Sequence, residues 1–227
     1  MKCEYCQQQV APDWNLVAFL MNSPQQLKSL CDHCLSRFQM ISSATCFGCG
    51  RLNDGLCYDC MRWQRQGQPL LQNNALYEYN MMMKWYFQNY KVKGGYHLRQ
   101  VFSEIFTAHI KSRLADKASC LVPIPVSKAT LKQRGFNQVQ GLLKNNLVFK
   151  DWLMCKRENK VTQSSLDRSQ RMQGVSPFQL NASQEAVVNQ HIVLIDDIYT
   201  TGRTLYWAAD VFYSYGATSV TSITLAR

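Results

Sequence analysis

The sequence predicts an α/β protein, a parallel-sheet domain preceded by a small metal-bound module, and three observations carry that prediction. Four Cys-x-x-Cys pairs crowd into the first 60 residues. An uninterrupted apolar run, Ile192, Val193, Leu194 and Ile195, leads straight into Asp196 and Asp197, as expected of a strand covered on both faces. From residue 75 onward, strand-like and helix-like segments alternate. With 227 residues, 46% of them apolar, the chain is long enough for one ordinary core plus a minor module.

Residues 1–65 read as a double zinc ribbon. Eight of the ten cysteines form the pairs Cys3 and Cys6, Cys31 and Cys34, Cys46 and Cys49, Cys57 and Cys60. A two-residue gap in a tight turn aims both sulfurs at one ion, so four knuckles supply two tetrahedral Zn²⁺ sites. Consecutive pairing would unite Cys3, Cys6, Cys31 and Cys34 in one site and Cys46, Cys49, Cys57 and Cys60 in the other; a cross-braced arrangement is the alternative the spacing leaves open. A disulfide framework is the rival, set aside because no apolar signal-like stretch precedes the first knuckle. His33 lies between two complete ligands and is read as a bystander. Outside Trp14 to Met21 this module has few large apolar side chains, so metal supplies most of its folding energy. Four thiolates leave no open coordination position, which makes both sites structural. Cys120 and Cys155 lie on apolar stretches and read as buried thiols.

The formal net charge of +10 falls to about +6 once each Zn(Cys)₄ centre is counted at about −2. Distribution says more than the total. Residues 1–72 hold six Lys or Arg against five Asp or Glu, whereas residues 73–227 hold nineteen against ten. The excess therefore belongs to the second domain and implies an anionic ligand there, either a small polyphosphate or a nucleic-acid backbone. No apolar run reaches the 18 or so residues that span a bilayer; with no export signal and many free thiols, the expected location is cytoplasmic, without membrane insertion.

Residues 66–74, with Gly67 and Pro69, read as a linker, and residues 75–227 as the second domain. Ala75 to Tyr79 is its first strand, and Met81 to Tyr90 a helix whose Met and aromatic stripe is core. A Gly94-Gly95 break precedes a helix from about Leu98 to Leu114, on which His109, like His97 before it, lacks a partner at metal spacing. Cys120 to Pro125 is a core strand ended by prolines. The helix after Lys128, Lys132 and Arg134 is expected to continue through Leu142, Leu143 and Leu147, with Trp152 to Cys155 as another strand. Residues 156–173 form a polar, basic loop of the length seen in lids and binding loops. The β strand ending at Asp197, a helix from Arg203 to Tyr215 and a strand from Ser219 to Leu225 complete a doubly wound sheet.

In such sheets ligands sit outside the strands' carboxyl ends, where Asp196 and Asp197 emerge. Thr200, Thr201, Gly202 and Thr204 follow at the start of a helix, where amides, hydroxyls and the helix dipole can cradle a phosphate. The carboxylates can accept from vicinal ribose hydroxyls or hold a divalent cation.

The segment IVLIDDIYTTGRTL resembles the 5-phosphoribosyl-1-pyrophosphate (PRPP) motif of type I phosphoribosyltransferases. Together with the zinc knuckles and the VPIP…RGFNQ block from Val122 to Gln138, it resembles the competence protein F family (ComF/ComFC) of DNA-uptake proteins over essentially the whole chain. A looser match to the family's Thr-x-x-Gln-x-x-Leu-x-x-x-x-Arg pattern occurs at Thr162, Gln163, Ser165, Leu166, Arg168 and Arg171, one residue tighter, and Gly174 stands where an asparagine is usual. The resemblance implies a zinc-ribbon module joined to a type I phosphoribosyltransferase-like domain. It makes Asp196, Asp197, Thr200, Thr201, Gly202 and Thr204 the PRPP site, with Mg²⁺. Arg134, Gly135, Asn137 and Gln138 would border the pyrophosphate, and Lys160, Arg168 and Arg171 would belong to a loop closing over it. It further implies a role in natural transformation, contact with single-stranded DNA and a competence helicase or ATPase partner. No base-reading constellation is evident, so catalytic residues and acceptor stay unassigned, and a phosphoribosyltransferase enzyme or a non-catalytic PRPP or nucleotide sensor remain alternatives.

Overall fold

The structure, a computed structural model, describes residues 2–10, 29–42, 45–114, 119–156 and 176–227. Among them the strands are β1 (Asn73–Tyr77), β2 (Ser119–Pro123), β3 (Leu153–Cys155), β4 (Phe178–Leu180), β5 (His191–Ile198) and β6 (Ser219–Ala226). The α-helices are α1 (Asp32–Leu35), α2 (Tyr58–Arg65), α3 (Met81–Phe87), α4 (Arg99–Leu114), α5 (Lys128–Arg134), α6 (Gln138–Leu142), α7 (Gln184–Val187) and α8 (Arg203–Ser214). None is long and apolar enough to cross a membrane.

Strands β1, β6, β5 and β2 form one wholly parallel sheet in that order. Its centre, β5, alternates between two cores as a doubly covered strand must. Ile192 and Leu194 pack with Leu205, Tyr206 and Phe212 of α8 on one face, while Val193 and Ile195 pack with Met83, Tyr86 and Phe102 of α3 and α4 on the other. The cysteine clusters divide the same way. Cys3 and Cys34 belong to the α3/α4 core, and Cys46, Cys49, Cys57 and Cys60 to the α8 core. Asn73 ties the second ribbon to the sheet, donating to Cys49 O at 3.1 Å and Thr224 Oγ1 at 3.0 Å and accepting from Ser222 Oγ at 2.9 Å.

Local chemistry sets the boundaries. Asn80 caps α3 by accepting from Met83 N. Where one helix to Tyr90 was expected, α3 ends at Phe87 and continues as a π-helical turn, Gln88–Val92. The helix expected to run on to Leu147 is broken: Gly135 takes φ +84° at the end of α5, Asn137 caps a new helix α6, and Leu143 is extended. The strand expected near Trp152 does form at Leu153, but outside the parallel sheet. β3 pairs antiparallel with β4 in a separate two-stranded ribbon, because its three residues bury only Leu153 fully and could not serve as a strand covered on both faces. The readings at Trp14 to Met21, Lys160, Thr162 to Arg171 and Gly174 lie outside the described residues.

Candidate functional site

Asp196 and Asp197 close the buried part of β5 and are themselves only 7% and 3% exposed. Asp196 Oδ1 accepts from the backbone N–H of Asp197 at 2.8 Å. Burial first, then the adjacent Asp197 charge, raise Asp196 well above the ordinary carboxylate range, against the opposing pull of Lys91. Lys91 Nζ stands 2.6 Å from Asp197 Oδ2. Asp197 Oδ2 is thus buried against a cation, its charge paired with the Lys91 ammonium. Lys91 escaped the sequence reading because it reaches the pair only through the π-helical turn; helical widening of this kind is a known signal of functional sites, but it leaves no mark in residue type.

Immediately beyond, Thr200 and Thr201 are exposed and Gly202 is buried at φ +81°. A Cβ on Gly202 would run into the Tyr199 hydroxyl, so a larger residue fits only if that ring moves. α8 starts at Arg203 after Gly202, which has no side chain to cap it; Thr201 Oγ1 accepts from Arg203 N at a long 3.5 Å, and a helix start so weakly capped suits an anion. The expected phosphate residues are thus contiguous in space with the carboxylates, and Thr204 lies exposed in the first turn.

The second group of candidates lies beside the first. Arg134 Nε donates to Lys91 O at 3.1 Å, and its Nη1 donates to Gln138 Oε1. Both Arg134 and Asp197 act electrostatically on Tyr90, whose hydroxyl donates to Gln138 O at 2.9 Å. Lys91 therefore links the carboxylates to the Arg134–Gln138 segment. Asn137 is otherwise engaged: its Oδ1 accepts from Val139 N and Gln140 N, and its Nδ2 donates to Ile124 O at 3.3 Å. Gly135 is exposed at the turn. Lys160, Arg168 and Arg171 lie outside the described residues. A cavity of about 750 Å³ lies at the opposite, amino-terminal end of the strands, lined by Ser119, His191 and Ser219 among others, and is separate from this site.

The eight knuckle cysteines gather as consecutive pairs, Cys3, Cys6, Cys31 and Cys34 in one group and Cys46, Cys49, Cys57 and Cys60 in the other, with all sulfurs of a group within 4.8 Å of one another. Cys6 and Cys31 Sγ are 3.7 Å apart, and Cys49 and Cys57 Sγ 3.5 Å, close to the ~3.8 Å edge of a tetrahedron with ~2.3 Å metal–sulfur bonds. Burial and the neighbouring sulfurs push the Cys34 and Cys60 thiols far up, as expected where four donors share a site that needs a cation before all can ionise. Both groups could hold a metal. His33 belongs to neither.

The fold and site define an α/β protein with a four-stranded parallel sheet and a double tetracysteine module. The chain is 33% identical over 231 residues to competence protein ComFC of Bacillus subtilis (strain 168), covering 99% of this chain and 94% of that protein. It is 32% identical over 229 residues to competence protein ComFC of Streptococcus pneumoniae (strain ATCC BAA-255 / R6), covering 100% of each. The chain belongs to the competence protein ComFC family. No protein-family model matches it. Partial superpositions relate it to an allosteric regulatory enzyme of purine biosynthesis (16% identity, TM-score 0.37, covering 56% of this chain and 26% of that one) and to a hypoxanthine phosphoribosyltransferase from Trypanosoma cruzi (13%, 0.32, covering 56% and 65%).

Proposed function

We propose that the protein is a cytoplasmic accessory of DNA uptake that binds PRPP or a related sugar phosphate with Mg²⁺ at Asp196, Asp197 and the Thr200–Thr204 loop, and holds two structural Zn²⁺ ions. The observation that carries the ligand is the buried carboxylate pair at the carboxyl end of β5, set directly before a helix start whose N-cap residue, Gly202, offers no side chain. Carboxylates there suit a ribose hydroxyl or a cation, and the helix start suits a 5′-phosphate. Mg²⁺ would neutralise pyrophosphate oxygens, while Lys91 and Arg134 add fixed positive charge beside them. Family membership supports the competence role and, with the basic second domain, contact with single-stranded DNA and a competence helicase or ATPase. In this reading residues 1–65 are the metal module, 66–74 the linker and 75–227 the ligand-binding domain.

The test is calorimetric titration of PRPP with Mg²⁺ into the wild type and into the Asp196→Ala, Asp197→Ala double variant. Binding to the wild type at least tenfold tighter than to the variant is expected; equal binding overturns the assignment. Pyrophosphate release with a panel of bases would turn the binder into an enzyme.

A further inference from the structure

The phosphate loop does not hold its own shape. Three consecutive carbonyls along it, those of Tyr199, Thr200 and Thr201, are each taken by a side chain from outside the loop. Arg227 Nη1 donates to Tyr199 O at 3.1 Å and to Thr200 O, and Trp63 Nε1 donates to Thr201 O at 2.9 Å. Because a trans peptide sets the carbonyl of one residue opposite the N–H of the next, pinning these carbonyls turns the amides of Thr200, Thr201 and Gly202 the other way. Successive amides pointing outward form an anion-binding concavity.

Both donors are anchored at the second tetracysteine centre. Arg227 Nη2 donates to Cys49 Sγ at 3.2 Å, and the guanidinium lies 3.7 Å from Asp59, between ligands Cys57 and Cys60, and 4.7 Å from the Tyr199 ring centroid. Its side chain is 4% exposed. Trp63 lies on α2, the helix that carries Cys60, and stacks on Tyr206 of α8 with centroids 4.2 Å apart. Sulfur, guanidinium and loop carbonyls thus form one connected path.

We propose that Arg227 and Trp63 are positioning residues through which the second tetracysteine centre shapes the phosphate loop, so that metal held by Cys46, Cys49, Cys57 and Cys60 sets the loop's order and its affinity for a phosphate anion. This rests on the ligand reading above only for its last step. A metal-bound thiolate is a fixed acceptor, and its hydrogen-bonding partners in turn tune the metal; linkage then makes the effect reciprocal.

The test compares wild type, Arg227→Gln and Trp63→Phe, the last keeping the stacked ring but not the indole N–H. Amide NMR order parameters across residues 199–204 are expected to fall from rigid-backbone values of about 0.85 towards about 0.6 or below in both variants, with two metals retained per chain. In cobalt-substituted protein the sulfur-to-cobalt bands are expected to shift in Arg227→Gln, a signature that loss of packing alone would not produce. Unchanged loop order parameters in both variants, or unchanged cobalt bands, overturns the proposal. If Arg227→Gln does not fold, Trp63→Phe decides alone: local loosening supports the proposal and its absence overturns it. PRPP titration separates the two ideas. A wild type that takes no PRPP, with a loop that loosens on substitution, keeps the clamp and discards the ligand; a wild type and variants that bind PRPP equally, with the loop unchanged, do the reverse.

Discussion

Gly202 meets two constraints at once, a left-handed backbone and the Tyr199 hydroxyl in the way of a Cβ. Gly202→Ala is therefore expected to cost about 2–3 kcal/mol, combining backbone strain with a forced shift of Tyr199, and to weaken phosphate binding in parallel; urea unfolding and titration of the same sample measure both. Lys91→Met leaves Asp197 buried without its counter-charge, and a loss of about 3 kcal/mol at neutral pH is expected, partly restored by millimolar Mg²⁺ if the carboxylates accept a cation. His109 gives a pH signature. Burial, and secondarily Arg113, lower it from 6.5 to about 4. The unfolded chain takes up a proton near pH 6.5 that the folded chain refuses until about pH 4, so stability falls as the pH drops through that window. With its partial exposure discounted, the contribution is on the order of 1 kcal/mol. His109→Phe should flatten that part of the stability curve, and an unaltered slope would count against it.

At the level of elements, what could be read from the chain was whatever rests on contiguous residues. The strand β5 announced itself because four successive apolar side chains serve both faces of a sheet, and the cysteine pairs because two ligands per turn are a local device. The turn at Thr200 to Gly202 and the helix start after it were legible for the same reason. Lys91 was not, since a π turn depends on how α3 and α4 pack around it. Arg227 and Trp63 were equally invisible: an arginine at the end of a strand pattern and a tryptophan after a knuckle carry no sign that they meet at one loop. β3 was misplaced because a three-residue run of mixed polarity has no periodicity that distinguishes a sheet strand from a hairpin. Aromatic side chains available to stack on single-stranded DNA divide by exposure. Tyr86 and Tyr90 are fully buried and Phe136 packs on Tyr90 and Tyr96, whereas Phe47 and Tyr58, on the second ribbon, are 72% and 68% exposed. Phe47→Ala and Tyr58→Ala are each expected to weaken single-strand binding by about 1–3 kcal/mol, read by fluorescence anisotropy on a labelled oligonucleotide; unaltered anisotropy would remove the second ribbon from the DNA surface.

Across the whole molecule, the proposed contact with single-stranded DNA would rest on the positive excess of the second domain, and the binding constant is then expected to fall linearly with salt on logarithmic axes. The two tetracysteine groups lie in opposite cores, so where both hold the proposed Zn²⁺ its extraction is expected to loosen both faces of the sheet together, visible as a single cooperative loss of near-ultraviolet dichroism. The sheet's strand order has a consequence for the way the molecule is made. β1 pairs with β6 across the largest gap in the sheet, Asn73 bonding a serine 149 residues further along the chain. The ribbons, by contrast, close within a few tens of residues. A nascent chain can gather both cysteine groups and set Met40 against Tyr77 of β1 while that strand's other edge still waits for the last. Long-range pairing of this kind slows folding, and through that interval an exposed strand edge stands open to any chaperone or neighbouring chain that reaches it first.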